Sequence, residues 1–515
     1  MAPLIQRECL TCHIEGGIGP FLLDDYDAVS DAADLVVDAV MVGYMPPWMP
    51  DRECREFAHQ RGLSVAEREV IRRWRDGGLL RGDPADSPDP PEPPPALETT
   101  DIARMVEPYT PSAERPDDYR CFLMDLEFPT QKFMTGRSVV PGANSLVHHV
   151  LSYAITPAQV AAVEAADAAD PGPGYTCFGG PIPEDENNTA SLGLIGLGGW
   201  VPGALPFLER DGRAVWIPAG SRIVMQVHYN LLSNDPEPDS TEMHLQLTDE
   251  EPDFLATSFP TAILELDIPA GAPSAMHRQV FRNYTNAPMN LTAFTPHMHM
   301  LGRTIGLQMV PPIGEAGEPT CLVDVPDWNF NWQQSYAVRE DDPIELAPGA
   351  GLELTCVYDN SASHQPVVNG EQLEPRDVTW GEGSLDEMCL LYVQHEVPWT
   401  GPIRGGCEVA NDCLDSCATN DTECLFACEN VGGGCRACVL RSTLGCARDA
   451  CLSTYVPAAT CLPSCINSYA LLGGTFDRCM QAECPTAWAA VQSCVAGIVD
   501  AGTCDEQLTG CGLTR

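Results

Sequence analysis

Positive charge is scarce in this chain. Its 515 residues include 28 Lys and Arg against 73 Asp and Glu, which gives a net charge of −45. A surface of that sign repels phosphate backbones and anionic lipid headgroups, so we expect no nucleic-acid partner and no binding to an acidic membrane. An apolar run of 18 residues is also missing. The sequence therefore predicts no integral membrane protein.

Two other signatures are absent. No Ser-His-Asp set and no convincing pair of carboxylates marks a hydrolytic site, so nucleophilic and acid–base catalysis are not indicated. Residues 1–8 also lack the charged region followed by an apolar region that makes a signal peptide.

Cysteine, in contrast, is abundant. There are 24, of which 16 lie between Cys407 and Cys511. That density is typical of a disulfide scaffold in an oxidising compartment. We therefore expect an exported protein, periplasmic or extracellular, whose signal peptide is not part of the numbered chain; a cytoplasmic protein is the alternative.

Composition divides the chain into segments of different character. Between a helical start and a cysteine-rich end, short Val-, Ile-, Leu- and Thr-rich runs alternate with Gly, Pro, Asn and Asp, which favours two antiparallel, jelly-roll-like β-sandwiches over an α/β enzyme. The predicted strands include Ser221–Tyr229, Glu242–Leu247, Ala262–Ile268, Leu291–Thr295 and Leu352–Tyr358. A helix is predicted over Pro157–Ala169.

We expect five units. They are a small all-α domain at 1–82, a Pro- and acid-rich linker at 83–99, a first sandwich at 100–258, a second sandwich at 259–404 and a cysteine-rich, mainly α disulfide module at 405–515. The linker is either a plain connector or a spacer that lets the first unit reach the sandwiches. In the tail, disulfides are favoured over zinc, although Cys435 and Cys438 have a zinc-like spacing. We expect that module to bind, anchor or stabilise.

The segment His297-Met298-His299-Met300 carries the strongest functional signal. Two histidines at i and i+2 on a strand point to the same face, which is a geometry that chelates a metal. Met388 adds a thioether further along the chain. A His-His-Met set fits copper, particularly Cu(I), better than zinc or a hard cation.

A second candidate set consists of His148, His149 and His228. Adjacent histidines on an ideal strand point to opposite faces, so His148 and His149 can share one ion only at a bend or bulge, or by using different ring nitrogens. A His-only set suits several metals, and beside a copper site we expect it to hold copper too.

The ordered motifs VHHV, QVHYN, HMHMLG and GEGSLDEMC resemble those of the copper type II, ascorbate-dependent monooxygenases, the family of dopamine β-hydroxylase and the peptidylglycine α-hydroxylating monooxygenase. The resemblance covers roughly residues 100 to 400. It implies that His148, His149 and His228 bind the electron-transferring copper, and that His297, His299 and Met388 bind the copper that activates O2. It also implies two β-sandwich copper modules whose metals face each other across an open, solvent-filled cleft.

The same resemblance implies a reaction: O2 and two electrons hydroxylate a substrate C–H bond, with ascorbate or another external reductant or a redox partner as donor. The substrate is a small molecule or a peptide. Tyr392 matches a substrate-contacting tyrosine of the family. Peptide-amidating members also carry an arginine where this chain has Thr295, and because that arginine is missing, glycine-extended peptides are not favoured as substrates. The resemblance also implies a disulfide between Cys356 and Cys389. Cys121 and Cys177 are a further plausible pair, while the partners of Cys54 and Cys321 stay open.

Near the N-terminus, Cys9-Leu10-Thr11-Cys12-His13 is the CxxCH motif by which c-type haem is attached, with His13 as an iron ligand. Predicted helices over Ala28–Val42 and Ser64–Gly77 would form a cytochrome-c-like domain, with Met45 as the sixth ligand and Met41 and Met49 as rivals. This arrangement resembles the haem-c modules fused to bacterial members of the same family. A Met/His haem suits electron transfer, so the domain is a candidate donor to the copper centres.

Three functions therefore remain open from the sequence. The first is the copper-dependent monooxygenase. The second is a non-catalytic copper and haem redox or copper-binding exported protein. The third is a surface structural protein in which the acidic domains and the cysteine-rich tail matter most.

Overall fold

The computed structural model describes residues 1–10, 12–14, 19, 21–58, 60–83, 96–113, 117–177, 180–182, 194–202, 204–231, 235–283, 288–312, 314–368, 371–381, 383–399 and 485–500. Most of the predicted linker and the cysteine-rich module lie outside these residues, apart from one helix, Pro485–Asp500. None of the helices in the described residues is long and apolar enough to cross a membrane.

The N-terminal segment is helical. Its helices are α1 Ala2–Glu8, α2 Tyr26–Asp31, α3 Ala33–Met41 and α4 Val65–Asp76. The predicted helix over Ala28–Val42 is interrupted at Ala32, where α2 ends and α3 begins. The predicted helix over Ser64–Gly77 is confirmed as α4. Ser64 caps it by accepting the Glu67 N–H, and the Glu67 side chain accepts the Ser64 N–H in return. Ile71 of α4 packs with Val37 and Val40 of α3 in a small core.

The first sandwich contains ten strands among the described residues. They are β1 Asp101–Arg104, β2 Asp117–Phe128, β3 Lys132–Val140, β4 Val147–Ile155, β5 Tyr175–Thr176, β6 Ile195–Trp200, β7 Phe207–Leu208, β8 Arg213–Ile217, β9 Ser221–Asn230 and β10 Glu242–Thr248. One sheet has the order β5-β2-β9-β4-β6; the other has β1-β10-β3-β8, with β7 beside β3. Side chains of both sheets, such as Val227 and Leu245, share one core. Helix α5, Pro157–Ala169, has the predicted bounds.

The second sandwich follows the same plan. Its strands are β11 Phe254–Ala262, β12 Ala275–Arg282, β13 Met289–His297, β14 Gly302–Val310, β15 Thr320–Val325, β16 Tyr336–Ala337, β17 Ile344–Leu346, β18 Gly351–Tyr358, β19 Val367–Val368, β20 Glu371–Gln372 and β21 Leu390–Pro398. Strands β12-β18-β14-β15 form one sheet and β11-β21-β13-β16 form part of the other, with β17 beside β13. Leu307 and Val393 contribute to the core from the two sheets.

A short parallel pairing joins the two sandwiches. Phe254 and Leu255 of β11 pair with Arg213 and Ala214 of β8, so that ten strands form one continuous sheet. The predicted boundary between residues 258 and 259 falls inside β11, which pairs with β21 along its whole length. The predicted strand over Ala262–Ile268 is wrong, because β11 ends at Ala262 and the next strand begins at Ala275.

Residues 44–58, here called the strap, leave the helical segment and dock on the second sandwich. The disulfide Cys54–Cys321 links the strap to β15. The Asp51 N–H donates to the Asp324 carbonyl at 2.8 Å. The disulfide and this hydrogen bond together tie the strap to the second sandwich.

Aromatic packing seals the same junction. Phe57 is 2% exposed and belongs to the core of the second sandwich, where its ring lies 5.5 Å from that of Tyr336. Trp48 also contacts the Tyr336 ring, edge-on at 5.1 Å. Burial of two large aromatic rings adds an apolar contribution to the covalent link.

Two further disulfides lie within the sandwiches. Cys121–Cys177 joins β2 to the residue after β5, and Cys356–Cys389 joins β18 to the start of β21. Both pairings are the expected ones. Among the described residues, Cys9 and Cys12 are the free cysteines.

Candidate metal centre

Three histidines of the first sandwich converge on the sheet β2-β9-β4. His149 of β4 lies opposite His228 of β9, and the pairing shifts register between Val147 and His149. This bulge is one of the arrangements expected from the sequence, because the extra residue lets the His148 ring lie on the side of His149. The Nδ1 atoms of His148 and His149 are 3.3 Å apart, as are those of His149 and His228.

The position of His228 is fixed from two sides. Its Nε2–H donates to the Asp117 carboxylate at 2.8 Å, which leaves Nδ1 directed at the other two histidines. The ring of Tyr119, its cross-strand neighbour on β2, stacks on it at 4.1 Å. Ligand nitrogens of the three histidines all lie within 4.8 Å of one another, a spacing that can hold one metal ion.

A second pair lies in the other sandwich. His297 is the last residue of β13 and His299 falls in the turn before β14, so the pair is not on one regular strand as predicted. Their Nε2 atoms nevertheless lie 3.2 Å apart. His297 Nδ1 bonds to the Gln333 amide oxygen, and His299 Nδ1 donates to the Asp386 carbonyl at 3.1 Å. Both rings thus keep Nε2 for a metal.

Met388 comes from the segment that flanks this pair. It precedes β21, whose first residue, Leu390, is the register partner of His297. The Met388 carbonyl accepts the Tyr358 hydroxyl at 2.8 Å, and Cys389 is held by its disulfide. Its side chain is 5% exposed and packs with Ala262 and Leu390.

Glu387 shapes the turn that carries His299. Its fully buried carboxylate accepts the backbone N–H of His299 at 2.9 Å and that of Leu301 at 2.6 Å. Burial raises the pKa of Glu387 to about 8, against the lowering effect of these N–H donors. Glu387 thus holds the backbone around His299 through hydrogen bonds.

The two clusters lie against one another. The rings of His149 and His297 are 6.1 Å apart between centroids, with planes at 85°. Phe330 stacks on His148 at 4.2 Å and meets the His299 ring edge-on at 6.2 Å. The two sets are thus in direct ring contact and both are contacted by Phe330, which differs from the open, solvent-filled cleft that the resemblance implies.

Burial keeps four of these imidazoles, those of His148, His149, His297 and His299, neutral. Desolvation lowers the pKa of His297 to about 4 and that of His299 to about 3. The pKa values of His148 and His149 are also lowered well below the ordinary histidine value, first by burial and then by the neighbouring rings. Neutral imidazole is the form that binds metals, so no proton has to be displaced near neutral pH.

Residues 268–401 match the family model described as copper type II ascorbate-dependent monooxygenase, C-terminal domain. The match supports that family for this part of the chain. It covers His297, His299 and Met388, and the first sandwich precedes it. At the level of the family it indicates a copper-dependent, ascorbate-dependent oxidoreductase of the monooxygenase type.

Other comparisons add little. No curated protein matches the chain. Among solved structures, the chain is similar to the major capsid protein P2 of bacteriophage PM2, with 7% identity, 59% of this chain and 98% of that chain covered, and a TM-score of 0.24. It is also similar to infectious bursal virus-derived T=1 particles, with 8% identity, coverage of 60% and 76%, and a TM-score of 0.15. Scores this low carry no argument about fold or function.

The residues expected to hold haem lie around one turn. The N–H groups of Cys12 and His13 both donate to the Cys9 carbonyl, at 3.2 and 3.0 Å. His13 Nδ1 donates to the Phe21 carbonyl at 2.9 Å, which leaves Nε2 as the ring nitrogen that a metal could bind. Met45 packs on the same small core as Cys9.

The rival methionines lie elsewhere. Met41 is 43% exposed, while Met49 packs against the second sandwich and its sulfur accepts the Asn329 N–H. Met49 thus packs on the second sandwich rather than on the helical core, and Met45 is the one of the three that packs on the same small core as Cys9.

Sequence reasoning missed several residues that shape the site. Ser384 and Glu387 lie inside the GEGSLDEMC motif, whose spacing to Met388 was the available signal. Asp117 and Phe330 come from segments with no motif. Tyr392, which matches a substrate-contacting tyrosine, is the direct register partner of Thr295, the residue that stands in place of the arginine of peptide-amidating members.

Proposed function

We propose that this chain is a copper-dependent monooxygenase that hydroxylates a substrate C–H bond with O2 and two electrons. One observation carries the proposal: two histidine sets from different sandwiches approach to 6.1 Å, and one of them lies in the matched domain. His148, His149 and His228 would hold one copper; His297, His299 and Met388 would hold the other.

The donor set fits copper chemically. Neutral imidazoles with fixed ring orientation, joined in one set by a thioether, suit a metal that alternates between Cu(I) and Cu(II). Copper held there supplies one-electron transfer and O2 chemistry. The residues themselves orient their nitrogens: Asp117, Gln333 and the Asp386 carbonyl each engage the ring nitrogen that points away from the metal position. Phe330 limits the water that can enter between the two sets.

Substrate-dependent O2 uptake tests this function. The copper-loaded chain is reduced with ascorbate and supplied with candidate C–H substrates, and product mass is followed for the gain of one oxygen atom. His297→Ala should abolish uptake and product, while His277→Ala, in the same sandwich but outside the site, should leave both unchanged. Copper binding without coupled O2 uptake would instead favour a redox or copper-carrier protein. Copper content near zero would favour the structural alternative.

The helical segment is proposed to carry covalent haem c and to donate electrons. Cys9 and Cys12 would form the thioether links, with His13 and Met45 as iron ligands. Two free cysteines beside a histidine with its Nδ1 already bonded suit this group. The strap supports the donor role, because Tyr44 contacts the Trp332 ring at 5.7 Å, two residues from the Phe330 that stacks on His148.

A haem spectrum tests that assignment separately. The protein, produced in a host that exports it and attaches haem c, should show the absorption of covalently bound haem in alkaline pyridine. Cys9→Ala together with Cys12→Ala should remove it. A wild-type chain without covalent haem would overturn the haem assignment and leave the copper proposal untouched.

A further inference from the structure

One carboxylate connects the two sandwiches beside the histidine sets. Asp117 begins β2 in the first sandwich, and its Oδ1 accepts His228 Nε2–H at 2.8 Å. The same oxygen accepts the hydroxyl of Ser384, from the second sandwich, at 2.7 Å. The Ser384 backbone N–H also lies 3.2 Å from Oδ2. His228 and Ser384 are each 1% exposed, so these bonds are shielded from water.

The connection continues to the other histidine set. Two residues after Ser384, the Asp386 carbonyl accepts His299 Nδ1 at 3.1 Å. Met388 follows two residues later. The rings of His228 and His299 are therefore connected through Asp117 and the three residues 384–386.

We infer that Asp117 is a positioning residue shared by both metal centres: it orients His228 in one and holds the segment that carries Asp386 and Met388 in the other. The inference rests on the proposed function, since it concerns copper at these two sets. It goes beyond it by coupling the centres. A partner that served His228 alone would act on one copper only.

Copper affinity and the Cu(II) electron paramagnetic resonance spectrum at each centre test the inference. The centres are separated in two backgrounds, His297→Ala/His299→Ala, which keeps the first, and His148→Ala/His149→Ala, which keeps the second. Asp117→Asn should weaken the first centre by about 10- to 100-fold and change its copper hyperfine splitting, because the His228 partner loses its charge. It should also weaken the second centre several-fold.

Ser384→Ala isolates the link between the sandwiches. It leaves the carboxylate on His228, so the first centre should keep its spectrum, while the second should weaken as it does in Asp117→Asn. In the double variant the loss at the second centre should be smaller than the sum of the two single losses, because both changes act on the contact between Asp117 and the Ser384 hydroxyl. Asp118→Asn, the neighbouring carboxylate, which accepts the Tyr109 hydroxyl, is the matched control and should change neither spectrum.

Each result decides the matter. If wild-type protein binds no copper, the proposed function fails and this inference with it. If wild-type protein binds two coppers but Asp117→Asn alters the first centre alone, the shared role is overturned while the proposed function stands. Additive losses at the second centre in the double variant would overturn it in the same way.

Discussion

The carboxylate of Glu387 accepts the backbone N–H of His299 at 2.9 Å, across 88 residues of sequence. It accepts the Leu301 N–H as well, so one buried side chain holds the turn that contains His299. The residue before the proposed copper ligand Met388 therefore shapes the backbone around another proposed ligand, His299.

Removing this carboxylate should destabilise the second sandwich. Glu387→Ala leaves buried N–H groups without acceptors, which we expect to lower the free energy of unfolding by about 3 kcal/mol. Glu387→Gln, which keeps one acceptor oxygen, should fall between wild type and alanine. Denaturant unfolding measures this, with exposed Glu265→Gln as the control. Equal stability of wild type and Glu387→Ala would remove the structural role.

Loss of the disulfide Cys54–Cys321 should free the strap. In Cys54→Ser/Cys321→Ser we expect faster hydrogen exchange at the backbone N–H groups of Asp51 and Ala58, which donate to the carbonyls of Asp324 and Ala337. The free energy of unfolding should fall by about 2 to 4 kcal/mol. Opening Cys121–Cys177, within the first sandwich, should leave exchange in the strap unchanged. Unaltered exchange at both strap residues in the first variant would show that packing alone holds the strap.

His395 should make stability depend on pH. It is 2% exposed, and burial lowers its pKa to about 4, whereas the unfolded chain titrates near 6.5. The unfolded chain thus takes up a proton between pH 6.5 and 4 that the folded chain refuses. Stability therefore falls with pH across that window, by roughly 2 to 3 kcal/mol from this group between pH 7 and 4.5.

Unfolding of the copper-free protein at pH 7 and pH 4.5 measures the effect. His395→Gln should lose that much less stability on acidification than wild type. His277→Gln should behave as wild type does. A drop of the same size in all three proteins would show that other groups control the acid response.

We expect Met388 to act as a sulfur ligand of the metal rather than as a residue that stabilises the core by packing. Met388→Leu keeps the buried volume, so the free energy of unfolding should change by less than about 1.5 kcal/mol, while Cu(I) affinity and O2 uptake are lost. X-ray absorption of the cuprous protein should show a copper–sulfur contribution that this variant lacks. Met298→Leu, a buried neighbour in the core, should retain it. A copper–sulfur signal that persists in Met388→Leu would exclude Met388 as the ligand.

Much of the fold could be predicted because its signals are local. The helix Pro157–Ala169 has a proline at its first position, and the strand Ser221–Asn230 follows a run of β-branched residues; both formed as expected. A bulge at His148 was one of the arrangements that the geometry of adjacent histidines allowed. The failures involve tertiary context: Ala262–Ile268 has strand composition, but the pairing of β11 ends at Ala262.

The remaining parts of the site depend on contacts between distant segments. Asp117 lies 111 residues before His228 and 267 before Ser384. Phe330 reaches both histidine sets from a short helical turn with no motif of its own. The docking of residues 44–58 on the second sandwich depends on a disulfide with a sequence separation of 267. A single sequence carries no local pattern for such pairings.

The number of copper ions bound per chain tests the central claim most directly. Protein loaded with copper and freed of excess metal should hold about two per chain, falling to about one in His297→Ala/His299→Ala and to about one in His148→Ala/His149→Ala. The combined variant should hold close to none. Copper that stays at the wild-type level in both double variants, or is absent from wild-type protein, would contradict the account.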